Sequence, residues 1–263
     1  NMIDPFHLEA YGIPTVNYNR DIEAFPVLRR ILMKITGSDS IYHSPTDMGV
    51  NMAGFCIVDD AACRRASEQE IIRRYYQSLC SLRQGLSEQE EVFKLELLMN
   101  QIGLKPESRA VVPAALARAE ETGAPAVAME LPNGKLVTGK TSPLLGASSA
   151  CLLNALKCLG GIPEDVLLIS PNIIEPIQHL KVEHMGNHNP RLHTDEVLIA
   201  LSICAVTDPN AERAMEQLAA LAGGEVHSTV ILSRVDENVF QHLRMNLTCE
   251  PKYQTKKLYH GKK

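Results

Sequence analysis

The side chains most able to take part in chemistry lie close together between residues 183 and 196. This segment contains three histidines, two glutamates, one aspartate and one arginine. Histidine exchanges protons near neutral pH, and arginine binds phosphates and carboxylates through paired N–H donors. We therefore predict acid, base and anion-binding groups at four positions: His184, His188, Arg191 and His193.

The same segment has a simpler interpretation. Gly186 and Pro190 predict a loop, in which the histidines follow no known spacing of metal ligands, so we predict no metal site. Such a loop would also serve to cap the helix that begins near Thr194, where Asp195 and Glu196 would favour the positive helix end. A functional loop and a simple cap both remain open at this point.

A second candidate is the segment from Gly134 to Thr141, which matches the phosphate-loop pattern G-x-x-x-x-G-K-[ST] at every fixed position. The same residues predict a β-hairpin, because the first glycine follows an asparagine and residues 135–138 alternate like a strand. One glycine cannot serve both structures, so both interpretations stay open. In either case Lys140, Thr141 and Ser142 precede a helix whose amino end favours anions, and we predict that they bind a ligand.

The elements that position these residues change in character along the chain. Apolar periodicity predicts helices over 59–84, 87–101 and 106–122, which we group as a helical subdomain, 44–123. Ser87 and the glutamate three residues after it predict a capping box at the second helix.

Short strands alternate with helices after this subdomain. The predicted strands are 126–131, 135–138, 166–169, 226–232 and 245–249. The predicted helices are 147–159, 192–206, 209–222 and 236–243. This alternation predicts an α/β sandwich with a mixed sheet over 124–263.

Composition excludes several classes of partner. The 263 residues carry 26 Lys and Arg against 31 Asp and Glu, a net charge of -5, which gives no overall attraction to nucleic acid or to an anionic membrane. No apolar run is long enough to span a membrane. The seven cysteines include no C-x-x-C pair, so we interpret them as core residues of a protein in the reducing cytoplasm.

Several blocks of sequence look familiar as a group. They are residues 4–12, 16–21, 44–52, 69–76, 131–141 and 189–193. Together they resemble the bacterial family called domain of unknown function 1846, from end to end of the chain. The resemblance implies that this chain is the carboxyl-terminal half of a family member. A missing N-terminal α/β domain would precede it, and residues 1–43 would be a remnant of that domain or the junction with it.

The resemblance also implies a cytidine-deaminase-like topology for residues 124–263. Zinc deaminases carry His or Cys with Glu at the start of the helix after the hairpin, and Pro-Cys-x-x-Cys at the next. Here the corresponding start, residues 145–149, reads Leu-Gly-Ala-Ser-Ser, and no second motif follows. The topology is therefore no evidence for deamination, and the family supplies neither a cofactor nor a catalytic residue.

Two functional hypotheses of different classes follow. The first is a zinc-free enzyme or binding protein for a small phosphorylated or nucleotide-like ligand, held at the junction with the missing N-terminal domain. Asn17, Asn19 and Arg20 would line that junction. The alternative is a non-catalytic scaffold that supports oligomerisation. We expect a homo-oligomer in either case, no partner among membranes or nucleic acids, and no identifiable cofactor.

Overall fold

The computed structural model describes the backbone of residues 31, 34–37 and 60–254, and the side chains of all of these except 60–64. The chain divides into two compact units, residues 1–109 and 110–263. The predicted ligand-binding residues Asn17, Asn19 and Arg20 lie outside the described residues, so their role stays a prediction.

The described part of the first unit is mainly two α-helices. Helix α1 spans Asp60–Gln84 and α2 spans Gln89–Ile102, which confirms the two predicted helices with small changes at their ends. Their buried side chains include Ile71, Ile72, Tyr76, Val92, Leu95, Leu98 and Met99. The predicted capping box is wrong, because the helix is capped by Glu88 without a side-chain bond and the Ser87 hydroxyl points to the carbonyl oxygen of Ser78.

The second unit contains a four-stranded mixed sheet, which confirms the mixed α/β class. The strands are β1 (Ala126–Glu130), β2 (Leu136–Lys140), β3 (Glu225–Ser228) and β4 (Asn246–Cys249). Their order in the sheet is β2-β1-β3-β4, with β1 antiparallel to both of its neighbours and β3 parallel to β4.

Helices cover both faces of this sheet at β1. Successive strand side chains point to opposite faces, and residues 126–129 are all fully buried. Helix α3 (Val111–Thr122) packs Val111 and Ala115 against Ala128, and α4 (Ala147–Leu159) packs on β1 and β2. The predicted helix 106–122 is therefore shorter: a 3-10 turn comes first, and α3 belongs to the unit that contains the sheet rather than to a helical subdomain.

The phosphate-loop interpretation of Gly134 to Thr141 is wrong, because this segment forms the turn and second strand of a hairpin. Gly134 has a φ of +76°, a turn conformation that side chains disfavour, and its amide donates to the carbonyl oxygen of Leu131. Gly139 serves another purpose. A β-carbon added there would lie 2.6 Å from the Cα atom of Cys151, so this glycine lets β2 approach α4 closely.

The prediction of a strand at 166–169 is wrong. Leu168 and Ile169 are buried there, but the segment is irregular, and it leads into α5 (Pro171–His179), which we did not predict. Pro171 follows the helix cap Ser170, whose hydroxyl accepts from the amide of Asn172 at 3.3 Å. Four apolar residues between two prolines are too few to distinguish a strand from a buried loop.

The other helices agree with their predictions, although two are shorter and the last begins two residues earlier. They are α6 (Thr194–Cys204), α7 (Pro209–Glu216) and α8 (Arg234–His242), with a 3-10 turn at Leu218–Leu221. Cys151, Cys204 and Cys249 are buried, as predicted for core residues, whereas Cys80 and Cys158 are only partly buried. Cys56 and Cys63 lie outside the described side chains. Among the described residues, no helix combines the length and the apolar character needed to cross a membrane.

Candidate functional site

A cavity of about 340 Å³ opens in the second unit where the segments that precede α4, α6 and α8 come together. Its wall is formed by Thr141, residues 146–148, residues 186–189, residues 191–193, residues 230–233, Asp236 and Gln254. The cavity therefore contains the amino ends of helices and much of the loop in which we predicted the chemistry.

Leu192 joins two of these segments and is fully buried. Its amide donates to the carbonyl oxygen of Leu144 at 3.0 Å, and its own carbonyl oxygen accepts from the amide of Gly146 at 3.2 Å. These bonds form a short parallel bridge between the chain before α4 and the chain before α6. Because Arg191 and His193 flank Leu192, the bridge positions both of them next to the first turn of α4.

His193 is the cap residue of α6 and pairs with Asp236, the third residue of α8. Its Nδ1 atom lies 3.0 Å from Oδ2 of Asp236. The hydrogen bond to this carboxylate raises the pKa of His193 above the ordinary 6.5, although burial acts in the opposite direction. When Nδ1 carries the proton of the neutral ring, Nε2 is the acceptor, and it has no hydrogen-bond partner among the described residues.

Asp236 accepts hydrogen bonds from residues at the starts of both α6 and α8. Its Oδ1 atom accepts from the amide and the hydroxyl of Thr194, both at 3.0 Å, and Oδ2 accepts from the hydroxyl of Ser233 at 2.8 Å. Burial acts to raise the pKa of Asp236, but the bond and charge of His193, with the donors of Thr194 and Ser233, hold it below its ordinary value. The carboxylate is therefore ionised and fully engaged, which suits a group that orients His193 rather than one that binds a ligand.

A buried lysine supports the loop from behind. Residues 180–184 form a π-helical turn after α5, and Lys181 in this turn is only 3% exposed. Its Nζ atom donates to Oε2 of Glu196 at 2.7 Å and to the carbonyl oxygen of Arg191 at 2.8 Å. The same Oε2 atom accepts from the amide of His193 at 2.8 Å. One ammonium group thus holds the backbone of Arg191 directly and that of His193 through a carboxylate.

The side chain of Arg191 is oriented by a single nitrogen. Nε donates to the carbonyl oxygen of Ser142 at 2.8 Å, whereas the two terminal nitrogens bond to none of the residues that the structure describes. His188 also lines the cavity, is exposed, and likewise makes no hydrogen bond within the described chain. Arg191 therefore keeps two directed donors for a ligand at the cavity wall.

The amino end of α4 supplies main-chain donors. Its cap residue is Gly146, which has no side chain to accept from the first amides, and Ala147 and Ser148 line the cavity. Ser148 is 3% exposed, and its hydroxyl makes no hydrogen bond to any described residue. This helix end therefore presents unsatisfied amides and the Ser148 hydroxyl to the same cavity as Arg191 and His193.

The predicted site residues divide into two groups. Those that line the cavity are Thr141, His188, Arg191 and His193. Those that do not line it are Lys140, Ser142 and His184.

Each residue of the second group has another local role. Lys140 is the exposed last residue of β2. The Ser142 hydroxyl accepts from the amides of Leu144 and Leu145 and so shapes the turn before α4. His184 is exposed at the end of the π-helical turn, where its ring contacts His179 edge-on at a centroid distance of 5.7 Å.

Sequence analysis missed three residues of this arrangement. They are Lys181, Ser233 and Asp236. Ser148 lies at the helix end that was predicted to favour anions. The pattern of a serine followed three residues later by an aspartate, at 233–236, is a helix-start signal that was available, although it does not reveal that the aspartate faces a histidine. Lys181 carried no signal, because its burial depends on the tertiary fold.

The arrangement is suited to moving a proton next to a bound anion. An oriented histidine with an unengaged ring nitrogen lies in one cavity with an arginine fork and an uncapped helix end. Among the residues that can be described, no group of three or more His, Cys, Asp and Glu is placed to hold a metal ion.

Comparison with known proteins finds relatives along nearly the whole chain. Residues 1–103 match the N-terminal family model of the domain of unknown function DUF1846, and residues 107–259 match its C-terminal model. The UPF0371 protein str1377 of Streptococcus thermophilus (strain CNRZ 1066) is 56% identical over 259 residues, and a UPF0371 protein of Streptococcus pneumoniae (strain CGSP14) is 55% identical over 259 residues. Each alignment covers 98% of this chain and 52% of the relative.

The chain thus spans about half the length of the curated relatives that it matches. One expectation is corrected, because residues 1–103 match the N-terminal family model and the chain is not confined to the C-terminal one. Matches to both models, together with relatives of this similarity, show that the chain belongs to the DUF1846 family of unknown function, which includes UPF0371 proteins of streptococci.

Proposed function

We propose that this protein binds a small phosphorylated or nucleotide-like ligand in the cavity before α4, α6 and α8 and acts on it as a zinc-free acid–base enzyme. The observation that carries the proposal is the pairing of His193 with Asp236 at the cavity wall. In this pairing the carboxylate fixes the proton on Nδ1, and Nε2 becomes the acceptor for a proton from water or from a ligand hydroxyl.

The charges around the cavity support an anionic ligand. Arg191 is cationic, protonated His193 adds a further positive charge, and Asp236 is the one acidic residue of the cavity wall as described. Both oxygens of that carboxylate already accept two hydrogen bonds each, so its charge is locally compensated. A ligand with a negative group would thus meet donors that are otherwise without an acceptor.

The proposal includes a cytidine-deaminase-like topology for residues 124–263, which the order of the elements and the location of the cavity both support. The hairpin, the helix that follows it and the parallel pair β3–β4 occur in the order that this topology requires. The cavity lies at the start of the helix after the hairpin, where zinc deaminases place their first metal ligands. Residues 146–149 offer no such ligand, so a histidine–aspartate pair would provide the chemistry instead.

Partners and compartment complete the proposal. The curated relatives are about twice as long as this chain. We also propose a homo-oligomer in the cytoplasm. Burial raises the pKa of the Cys151 thiol, which keeps this cysteine protonated and unreactive and suits a core residue in a reducing compartment.

The test is calorimetric titration of the protein with sugar phosphates and nucleoside monophosphates, each beside its unphosphorylated counterpart. We expect the phosphorylated compounds to bind, and the bound ones to be screened for turnover. His193→Gln should retain binding and lose turnover by about 100-fold or more, as is usual when a general base is removed. His242→Gln is the matched control, because this histidine is exposed at the end of α8 and lies outside the cavity. Failure of every phosphorylated compound to bind the wild-type protein would contradict the proposal.

One observation favours the alternative, a non-catalytic scaffold. Ile199, Ile203 and Val206 project from one side of α6 and the turn after it, with exposures of 62%, 63% and 81%. An exposed apolar row of this kind is typical of a surface that contacts another protein. Ile203→Glu would convert an oligomer to a monomer in sedimentation analysis if this surface holds it together. A wild-type protein that sediments as a monomer would contradict the scaffold function.

A further inference from the structure

We infer that the amino end of α4 is a binding site for the phosphoryl dianion of a phosphomonoester, formed by Ser148, Arg191 and the first main-chain amides of the helix. The inference rests on the proposed function and deepens it, because it assigns the phosphoryl group of the ligand to one end of the cavity. It also identifies two residues that select the ligand and do not transfer protons.

The donors of this site come from two elements that are held together. The amides of the first helical turn have no acceptor inside a helix, and the cap residue Gly146 provides none from a side chain. Arg191 is placed beside this turn by the bridge at Leu192, and its Nε bond to Ser142 leaves both terminal nitrogens to a ligand. Helix α4 has 13 residues, long enough for its dipole to favour an anion at this end.

Ser148 is an independent indication that the helix end is a site. Its side chain is almost completely buried and lines the cavity, yet its hydroxyl has no hydrogen-bond partner in the described chain. The next residue, Ser149, is the contrast: its hydroxyl donates to the carbonyl oxygen of Leu192 at 2.9 Å. Because the Ser148 hydroxyl faces the cavity without a protein partner, a ligand oxygen there would accept a hydrogen bond that the protein alone does not make.

The number of donors points to a phosphoryl group rather than to a carboxylate. Two amides, one hydroxyl and two guanidinium nitrogens offer more bonds than the two oxygens of a carboxylate use, whereas three phosphoryl oxygens can accept all of them. Protonated His193 would add a further positive charge on the same side. The organic part of the ester would then extend toward the apolar wall formed by residues 230–232.

The test measures binding alone, so that it does not depend on catalysis. Inorganic phosphate, ribose 5-phosphate and ribose are titrated against the wild-type protein and its variants by calorimetry. We expect the ester to bind more tightly than phosphate, and ribose not to bind. Ser148→Ala should lower the affinity for the ester by about tenfold, and Arg191→Gln should lower it by at least as much. Ser148→Asp should abolish binding, because it places a carboxylate where the phosphoryl group would lie.

Control variants separate a lost site from a damaged fold. Ser202→Ala on α6 and Arg213→Gln on α7 change exposed residues of the same types outside the cavity and should leave the affinity unchanged. His193→Gln should retain the ester within a few fold at alkaline pH, where the native ring is neutral. Each variant is first required to unfold in the same cooperative transition as the wild-type protein.

The outcomes distinguish this inference from the proposed function. If a ligand binds and is turned over but Ser148→Asp and Arg191→Gln leave its affinity unchanged, the helix-end site is wrong and the proposed function stands. An ester that binds no more tightly than inorganic phosphate would overturn the assignment to a phosphomonoester. If neither phosphate nor the ester binds, this inference fails, whereas the proposed function fails only if the full series of phosphorylated compounds also does not bind.

Discussion

The Nδ1 atom of His193 lies 3.0 Å from the Oδ2 atom of Asp236, although 43 residues separate them along the chain. Each residue belongs to the start of a different helix, α6 for the histidine and α8 for the aspartate. The other oxygen of the carboxylate accepts from the amide of Thr194, so the group that orients the imidazole also helps to begin α6. The start of α6 and the orientation of His193 therefore depend on the same side chain.

Removing the charge of Asp236 should change both the pKa of His193 and the stability of the protein. In Asp236→Asn the pKa of His193 should fall, because the bond that raises it is lost and the burial that lowers it remains. The free energy of unfolding should fall by about 2 kcal/mol, since the donors of Thr194 lose a charged acceptor. NMR titration of the imidazole protons measures the first effect and urea unfolding the second. An unchanged pKa of His193 would show that the carboxylate does not orient it.

The pair should stabilise the protein within a defined pH range. His193 has a raised pKa, so its contribution is complete below the unfolded value of 6.5 and disappears as the pH rises through its folded pKa. Asp236 has a lowered pKa, so its contribution is present above 3.8 and disappears as the pH falls through its folded pKa. The stability difference between the wild type and His193→Gln should thus be largest between these limits and shrink at alkaline pH. A difference that does not change with pH would contradict the ion pair.

The charges of Lys181 and Glu196 should shift the pKa of His193 in opposite directions. The lysine charge lowers the pKa of His193 and the glutamate charge raises it. Lys181→Met should therefore raise that pKa and Glu196→Gln should lower it, whereas damage to packing alone would not give opposite signs. Lys181→Met should also destabilise the protein by about 3 kcal/mol, because a buried pair is broken, and Lys181→Arg should recover part of this loss. If both variants shifted the pKa of His193 in the same direction, the charges of Lys181 and Glu196 would not be what sets it.

The hairpin at Gly134 to Thr141 leads to a prediction that distinguishes it from a phosphate loop. Lys140→Ala should leave the affinity for a phosphomonoester within about twofold, because the lysine is exposed and lies outside the cavity. Gly139→Ala should instead lower the free energy of unfolding by about 2 kcal/mol or more, because the added carbon would meet the backbone of Cys151. Titration and urea unfolding measure the two effects. A large loss of phosphomonoester affinity in Lys140→Ala would favour the phosphate-loop interpretation.

The long helices were predictable because their apolar residues repeat over many turns, as in α1 and α4. The hairpin was only half predictable, since an asparagine followed by glycine and a phosphate-loop pattern compete for the same residues and only strand pairing decides between them. The segment 183–196 was predicted as a site from its side chains, and three of its four predicted residues line the cavity, whereas His184 does not.

The partners of these side chains were not predictable from local sequence. Asp236 is brought to His193 by the packing of α8 on α6, a tertiary contact without a periodic signal. The burial of Lys181 had no signal in the sequence, because π-helical turns have no sequence pattern of their own and only the fold buries this residue. Burial and long-range pairing are thus the properties that one-dimensional patterns carry least well.

The bridge at Leu192 has a consequence for selectivity. Its bonds to Leu144 and Gly146 are main-chain bonds and fully buried at Leu192, so the distance between the first turn of α4 and the ring of His193 is set before any ligand enters. A ligand anchored at one end presents to the ring only the atom that lies at that distance. The protein would then select phosphorylated compounds in which a fixed number of bonds separates the phosphorus atom from the reacting hydroxyl.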